Sequence, residues 1–377
     1  MKRSTFLTAG GAAAVGTLGT ASGPAIAQSA SSARLGRRAL ILSGGGARGA
    51  YEAGAVQALV DQQHLSDGQP LDFDMVCGTS IGGLNGYFIA TAQYSLLKHL
   101  WLDVIPNAGI LRVKQPYEKI NDANAGLVSR LDAALDLGKG LVNGLLGVID
   151  TTGIRTLLRQ YVGPGSAVHL PFYAATTNLT RQLGQAFVRR ATTPVGLQKQ
   201  SLNDSLLEDY TFEKIREADD AILHDVLYAT AAIPIAFDPA EIPRTDGTGT
   251  SLYVDGGVTE NVPINIARRC AEVLHVVLVD PPRETLDVTY PGAVSVGLGV
   301  FSTMQYRILQ YQILLALVTS TPQNPVQPFV MRPAEPLPGK FEDFGNAGAL
   351  AAMWNVGYND GITGWRTPSI PAIDTLQ

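Results

Sequence analysis

Apolar residues fall along this chain in two alternating patterns, short saturated runs and longer stretches at helical spacing. Ala39-Leu40-Ile41-Leu42-Ser43 is too short for a helix and runs into glycines, so it predicts a fully buried strand. Residues 49–63 follow with Tyr51, Ala55, Ala58 and Leu59 at helical intervals. Phe73-Asp74-Met75-Val76-Cys77 predicts the next strand, and residues 81–102 a long helix with a small and apolar face. Strand and helix in alternation predict a parallel or mixed sheet covered on both sides. Downstream, residues 171–177 and 185–188 read as two strands of a hairpin-like excursion, and residues 225–232 as a helix that stops before Pro234. Leu252-Tyr253-Val254 is a short strand, residues 273–279 a buried one, and residues 301–319 an apolar-periodic helix.

Between 106 and 163 the pattern loosens. Leu127, Leu131, Leu135, Val142, Leu145 and Leu146 recur at roughly helical intervals among glycines, which predicts an inserted helical cap over the sheet edge. The same apolar stripe suits acyl chains or a lipid surface, the functional alternative. No internal repeat or linker divides the chain, so residues 28–377 are expected to form one domain. Residues 1–27 carry the marks of an export signal: Lys2 and Arg3, an apolar run rich in Ala and Gly, and Ala25-Ile26-Ala27 as a small-x-small cleavage site. Export to the periplasm or beyond is the expectation; Ser4 stands where a twin-arginine motif has its second arginine, so the route stays open.

Composition narrows the function. A 377-residue chain that is 46% hydrophobic can bury a large core, and a net charge of -5 without a basic patch argues against nucleic acid as a partner. Cys77 and Cys270 are too few for a disulfide framework, and Cys77 reads as a packed thiol. The five histidines lack metal-ligand spacing, so no metal or cofactor is expected.

Three loops carry the chemistry. Gly44-Gly45-Gly46-Ala47-Arg48-Gly49 follows the first strand and offers backbone N–H groups beside a helix N-terminus, where an oxyanion is stabilised. Arg48 either braces that loop or adds charge to it, or is paired with a carboxylate. Gly78-Thr79-Ser80-Ile81-Gly82 fits G-x-S-x-G, the turn that exposes a nucleophilic serine between flanking glycines. Asp255-Gly256-Gly257 places a carboxylate at a third strand end. Gly44, Gly46 and Gly49 also satisfy G-x-G-x-x-G, but a dinucleotide site wants an acid at the end of the second strand, whereas Asp72 and Asp74 stand at its start. The serine needs a base. His275, the sole histidine after Asp255, lies inside Val273-Leu274-His275-Val276-Val277-Leu278-Val279 and reads as core, so Asp255 is expected to take the proton directly, tuned upward by desolvation.

In this order, these blocks resemble the patatin-like phospholipase family: the G-G-G-x-R-G loop, the G-x-S-x-G elbow, and D-G-G continued by Asn261-Val262-Pro263. Ala231-Ala232-Ile233-Pro234-Ile235-Ala236-Phe237 is similar to the segment before the family's aspartate strand, and Ala175-Thr176-Thr177-Asn178-Leu179 to a weaker strand block. The likeness spans residues 38–281. It implies a three-layer α/β/α fold on a central mixed, mostly parallel sheet, and a serine acyl hydrolase working without calcium through Ser80 as nucleophile and Asp255 as base. Gly44, Gly45, Gly46 and Arg48 would form the oxyanion loop, Gly78 and Gly82 the elbow. The implied substrate is a lipid or acyl ester, with peripheral membrane contact. Its rivals are an acyltransferase using the same dyad and a non-catalytic lipid-binding effector. Oligomeric state, headgroup and chain length are open.

Overall fold

The computed structural model describes residues 36–114, 147–195, 215–281, 293–318, 320 and 326–365. Its centre is β1 (Arg38–Leu42), whose parallel neighbours are β2 (Met75–Thr79) on one side and β8 (Val273–Val277) on the other. Outward from β2 lie β3 (Phe172–Asn178), parallel to it, then β4 (Leu183–Arg189), antiparallel, and the short β5 (Arg216–Glu217). Outward from β8 lies β9 (Gln327–Met331), also parallel. A hairpin of β6 (Ala240–Pro243) and β7 (Thr250–Asp255) completes the nine strands among the described residues, with β7 antiparallel to β3.

The saturated strands follow from burial on both faces. Along β1, Leu40 and Leu42 enter one apolar core and Ala39 and Ile41 another, as a two-residue side-chain period requires. Over the first face lie α1 (Gly49–Gln62), α2 (Ile81–Ala90) and α8 (Ala347–Thr363); over the second lie α6 (Ile264–Ala267) and α7 (Ala293–Val318). The sheet is mixed, mostly parallel and flanked by helices, a three-layer α/β/α arrangement. No helix among the described residues is long and apolar enough to cross a membrane.

Several sequence expectations need correction. The helix over 81–102 is broken: α2 ends at Ala90 and α3 (Tyr94–His99) begins after a turn. There Ala92 takes a positive φ of 50° and the Thr91 hydroxyl donates to the Tyr87 and Phe88 carbonyls, capping α2. The β3–β4 pair is no excursion, since β3 is a full member of the sheet. The helix over 301–319 begins earlier, at Ala293. Both β9 and α8 were unanticipated. In α8, Gly357 packs against the Tyr51 carbonyl, a glycine-mediated approach to α1 that leaves little apolar period to read. Of the expected insertion, residues 115–146 lie outside the described residues, as does the export signal; the remainder includes α4 (Thr152–Tyr161) and an isolated bridge between Val113 and Ile149.

Candidate active site

Ser80 sits between β2 and α2 with φ 55° and ψ −129°. A non-glycine residue held there stores about 1–3 kcal/mol of backbone strain, the mark of a serine presented on a sharp strand-to-helix turn. The turn closes because Gly78 and Gly82 lack side chains: a Cβ on Gly78 would strike the Gly82 carbonyl, and one on Gly82 would stand 2.5 Å from the Ser43 carbonyl. The Ser80 N–H donates to the Thr230 hydroxyl at 3.1 Å, and that hydroxyl donates to the Ala175 carbonyl at 2.6 Å. Thr230, the last residue of α5 (Leu223–Thr230), thus ties the elbow to β3.

Strand register brings Asp255 to the same place. β4 covers one edge of β3 along its length, so β2 and β7 share the other edge and run toward each other. Thr79 stands opposite Ala175 and Asp255 opposite Thr176, consecutive positions on β3, and Ser80 is one residue beyond Thr79. Asp255 is anchored by its own N–H donating to the Ala232 carbonyl at 2.8 Å and by its carbonyl accepting from Thr177 Oγ1 at 3.0 Å. Its Oδ1 accepts from the Gly257 N–H at 2.7 Å; its Oδ2 is buried without a hydrogen-bond partner among the described residues. Complete burial pushes the carboxyl up to about 7, while the Ser80 side chain and the Gly257 N–H pull the other way. Ser80 therefore stands near enough to act on the carboxyl without closing a bond of normal geometry to Oδ2, as is common before substrate binds.

The glycine loop is more constrained than its sequence suggests. Gly44 donates its N–H to the Asn261 carbonyl at 3.0 Å, Ala47 to Phe341 at 2.8 Å and Arg48 to Gly45 at 3.3 Å. The N–H groups of Gly45 and Gly46 have no partner among the described residues, and Gly46 lines the cavity beside Ser80. Gly46 has φ 59°, and a Cβ there would strike the Phe341 carbonyl. Arg48 turns its guanidinium to the Asp280 carboxylate and its Nε to the Gly45 carbonyl at 3.4 Å, so its side chain braces the loop. Asp72 and Asp74 tie down the start of β1, where Arg38 Nη1 donates to Asp72 at 2.9 Å and the Arg38 N–H to Asp74 at 2.8 Å.

Residues 260–262 stitch the site together. The Glu260 carbonyl accepts from Thr79 Oγ1 at 2.8 Å, the Asn261 carbonyl from Gly44, and the Val262 N–H donates to Gln312 Oε1 on α7 at 3.1 Å. Three consecutive residues thereby hold the elbow strand, the glycine loop and a helix of the opposite layer.

From Ser80 a cavity of about 820 Å³, counting its open mouth, extends between side chains such as Phe88, Ile110, Ile154, Leu158 and Phe237. Asn85 and Trp101 also line it but turn their polar groups on each other, Trp101 Nε1 donating to Asn85 Oδ1 at 2.9 Å. Asn85 Nδ2 in turn donates to Glu52 at 3.1 Å, and burial pushes that carboxyl up to about 8. The result is a largely apolar chamber with Ser80 in its wall.

His275 lies elsewhere. It pairs in register with Leu40, which stands opposite Val76, four residues before Ser80, or about 13 Å of strand. Its ring stacks on Phe329 at 5.3 Å and meets Trp365 and Phe73 edge-on, and burial lowers its pKa to about 4. Thr230, Asn85, Trp101 and Gln312 escaped sequence reading; each acts through contacts distant in sequence, and none belongs to a motif with a fixed spacing.

A family model described as patatin-like phospholipase matches residues 40–268. No curated protein matches the chain. Among solved structures, VipD from Legionella pneumophila aligns at 14% identity over 89% of this chain and 68% of that one, with a TM-score of 0.33, too low to carry an argument.

Proposed function

The chain belongs to the patatin-like phospholipase family, which implies lipid acyl hydrolase activity, and from that premise we propose an exported serine hydrolase that cleaves lipid acyl esters through Ser80 and Asp255. The observation that carries this reading is the register of β2 and β7 on one edge of β3, which sets the strained serine beside a buried carboxyl. The Asp255 carboxylate takes the Ser80 proton as Oγ attacks the ester carbonyl. Negative charge on the former carbonyl oxygen is met by the Gly45 and Gly46 N–H groups, with Gly44 and Arg48 shaping that loop rather than donating to the oxyanion. Asp255 then protonates the departing alcohol and leaves an acyl ester on Ser80. In the second half-reaction Asp255 accepts a proton from the attacking water, returns one to Ser80, and the carboxylic acid departs. An acyl chain occupies the apolar chamber, between side chains such as Phe88, Ile110, Leu158 and Phe237.

A fluorophosphonate should label wild-type protein at Ser80, and hydrolysis across a panel of headgroups and chain lengths should fall by at least about 10⁴-fold in Ser80→Ala and Asp255→Asn. Turnover retained in Asp255→Asn would remove the dyad.

A further inference from the structure

Helix α7 lies beyond residue 268, where the family match ends, yet it reaches the site. Phe301, Gln305, Leu309 and Gln312 are buried on its inner face at helical spacing, and two of these four are glutamines in a layer that otherwise favours aliphatic side chains. Gln312 is accounted for by its bond from the Val262 N–H. Gln305 is not: it is 3% exposed, and its Nε2 has no hydrogen-bond partner among the described residues.

The Gln305 amide lies over two functional glycines. It occupies the place a Cβ on Gly257 would take, and stands 3.2 Å from where a Cβ on Gly44 would be, a point itself 3.1 Å from Ser80 Cβ. Asn261 Oδ1, also buried and unpartnered among the described residues, contacts the same two places, 3.1 Å from the Gly257 one. A donor and an acceptor, neither bonded among the described residues, thus border the same two glycines, between the turn that carries Asp255 and the loop that carries the free amides. Neither lines the acyl chamber.

We propose that Gln305 is a positioning residue for the hydrolytic site, pairing its carboxamide with that of Asn261 to lock the Asp255 turn against the glycine loop as the tetrahedral intermediate forms. This rests on the Ser80–Asp255 reading above. Its action is on the chemical step and not on acyl binding, since the chamber is walled by other residues.

The test uses the full chain and a short-chain nitrophenyl ester. Gln305→Met should lower kcat by about tenfold to a hundredfold, the scale of a slight misplacement, with KM unchanged. Gln305→Glu keeps the shape but can donate to Asn261 only when protonated, so its kcat relative to wild type should fall from about pH 6 to about pH 9. Adding Asn261→Leu to Gln305→Met should cost little more than either change alone. Wild-type kcat in folded Gln305→Met, a loss confined to KM, or additive losses in the double variant would each overturn the proposal. If Gln305→Met does not fold, the pH dependence of Gln305→Glu decides, and a flat ratio overturns it. Ser80→Ala and Asp255→Asn separate the two levels: turnover surviving in them removes the dyad itself, whereas their inactivity beside an unaffected Gln305→Met removes only this inference.

Discussion

Around Ser80 the chain does its own positioning: β2, two glycines and the first turn of α2 hold the residue in a backbone conformation of their own making. Around Asp255 nearly every tie comes from afar, from Ala232, Thr177, the register of β3 and, through Val262, Gln312 of α7. Ser80 is thus held mainly by local geometry and Asp255 mainly by tertiary assembly. The first should be brittle to a single methyl group; the second should respond to burial and charge.

The largest effect is expected at the elbow. Gly78→Ala drives a methyl into the Gly82 carbonyl, and should cost about 3 kcal/mol in urea unfolding and at least a hundredfold in kcat. Near-native values would mean that the turn is more compliant than its contacts indicate.

On the Asp255 side the sharpest probe is pH. With the Asp255 carboxyl at about 7, kcat/KM and the rate of fluorophosphonate labelling should rise about tenfold per pH unit below that value and level off above it. Stability should move the opposite way. Burial raises Asp255 to about 7 and both Glu52 and Glu260 to about 8, while unfolded carboxyls titrate near 4. Between about pH 4 and pH 8 the unfolded chain gives up these protons first, so the stabilisation is fully present below that window and lost as pH rises through it. The melting temperature should therefore decline across the range in which activity climbs.

Thr230→Val tests the tie from the elbow to β3, the strand on which Asp255 also pairs, because it leaves the Ser80 N–H without its acceptor while conserving shape. A loss of about 1–3 kcal/mol is expected, with a drop of about tenfold in kcat and little change in KM. Smallest in activity is His275→Gln: kcat should stay at the wild-type value while about 2 kcal/mol of core packing is lost, visible as a lower Tm. Inactivity of that variant with its fold intact would bring the imidazole back into the mechanism.

The same contrast explains what could be read from the sequence. The glycine loop, the elbow and the aspartate turn each sit at the end of an apolar run, so local pattern located them, and the saturated strands announced a sheet covered on both faces. Ala92 could not be foreseen as the break between α2 and α3, because nothing in its type favours a positive φ; the Thr91 hydroxyl bonds that accompany it are local, to the carbonyls three and four residues back, and a threonine makes such bonds inside helices as well as at their ends. The α8 helix escaped because it meets α1 through glycines, which carry no hydrophobic signal. Sequence also grouped Gly44 with Gly45 and Gly46 as donors, whereas the Asn261 carbonyl already engages Gly44; Arg48, for which bracing the loop and pairing with a carboxylate stood among the alternatives, does both.

Because Asp255 is the final rung of an antiparallel ladder on β3, its orientation obeys a parity rule: displacement by one rung sends a side chain through to the other surface of the sheet. The span from Leu252 to Asp255 therefore admits no change in length, while the exposed tip at Asp246–Gly249 is indifferent to it. A designer wishing to append a peptide or a reporter to this enzyme has a tolerant site six residues from an intolerant one.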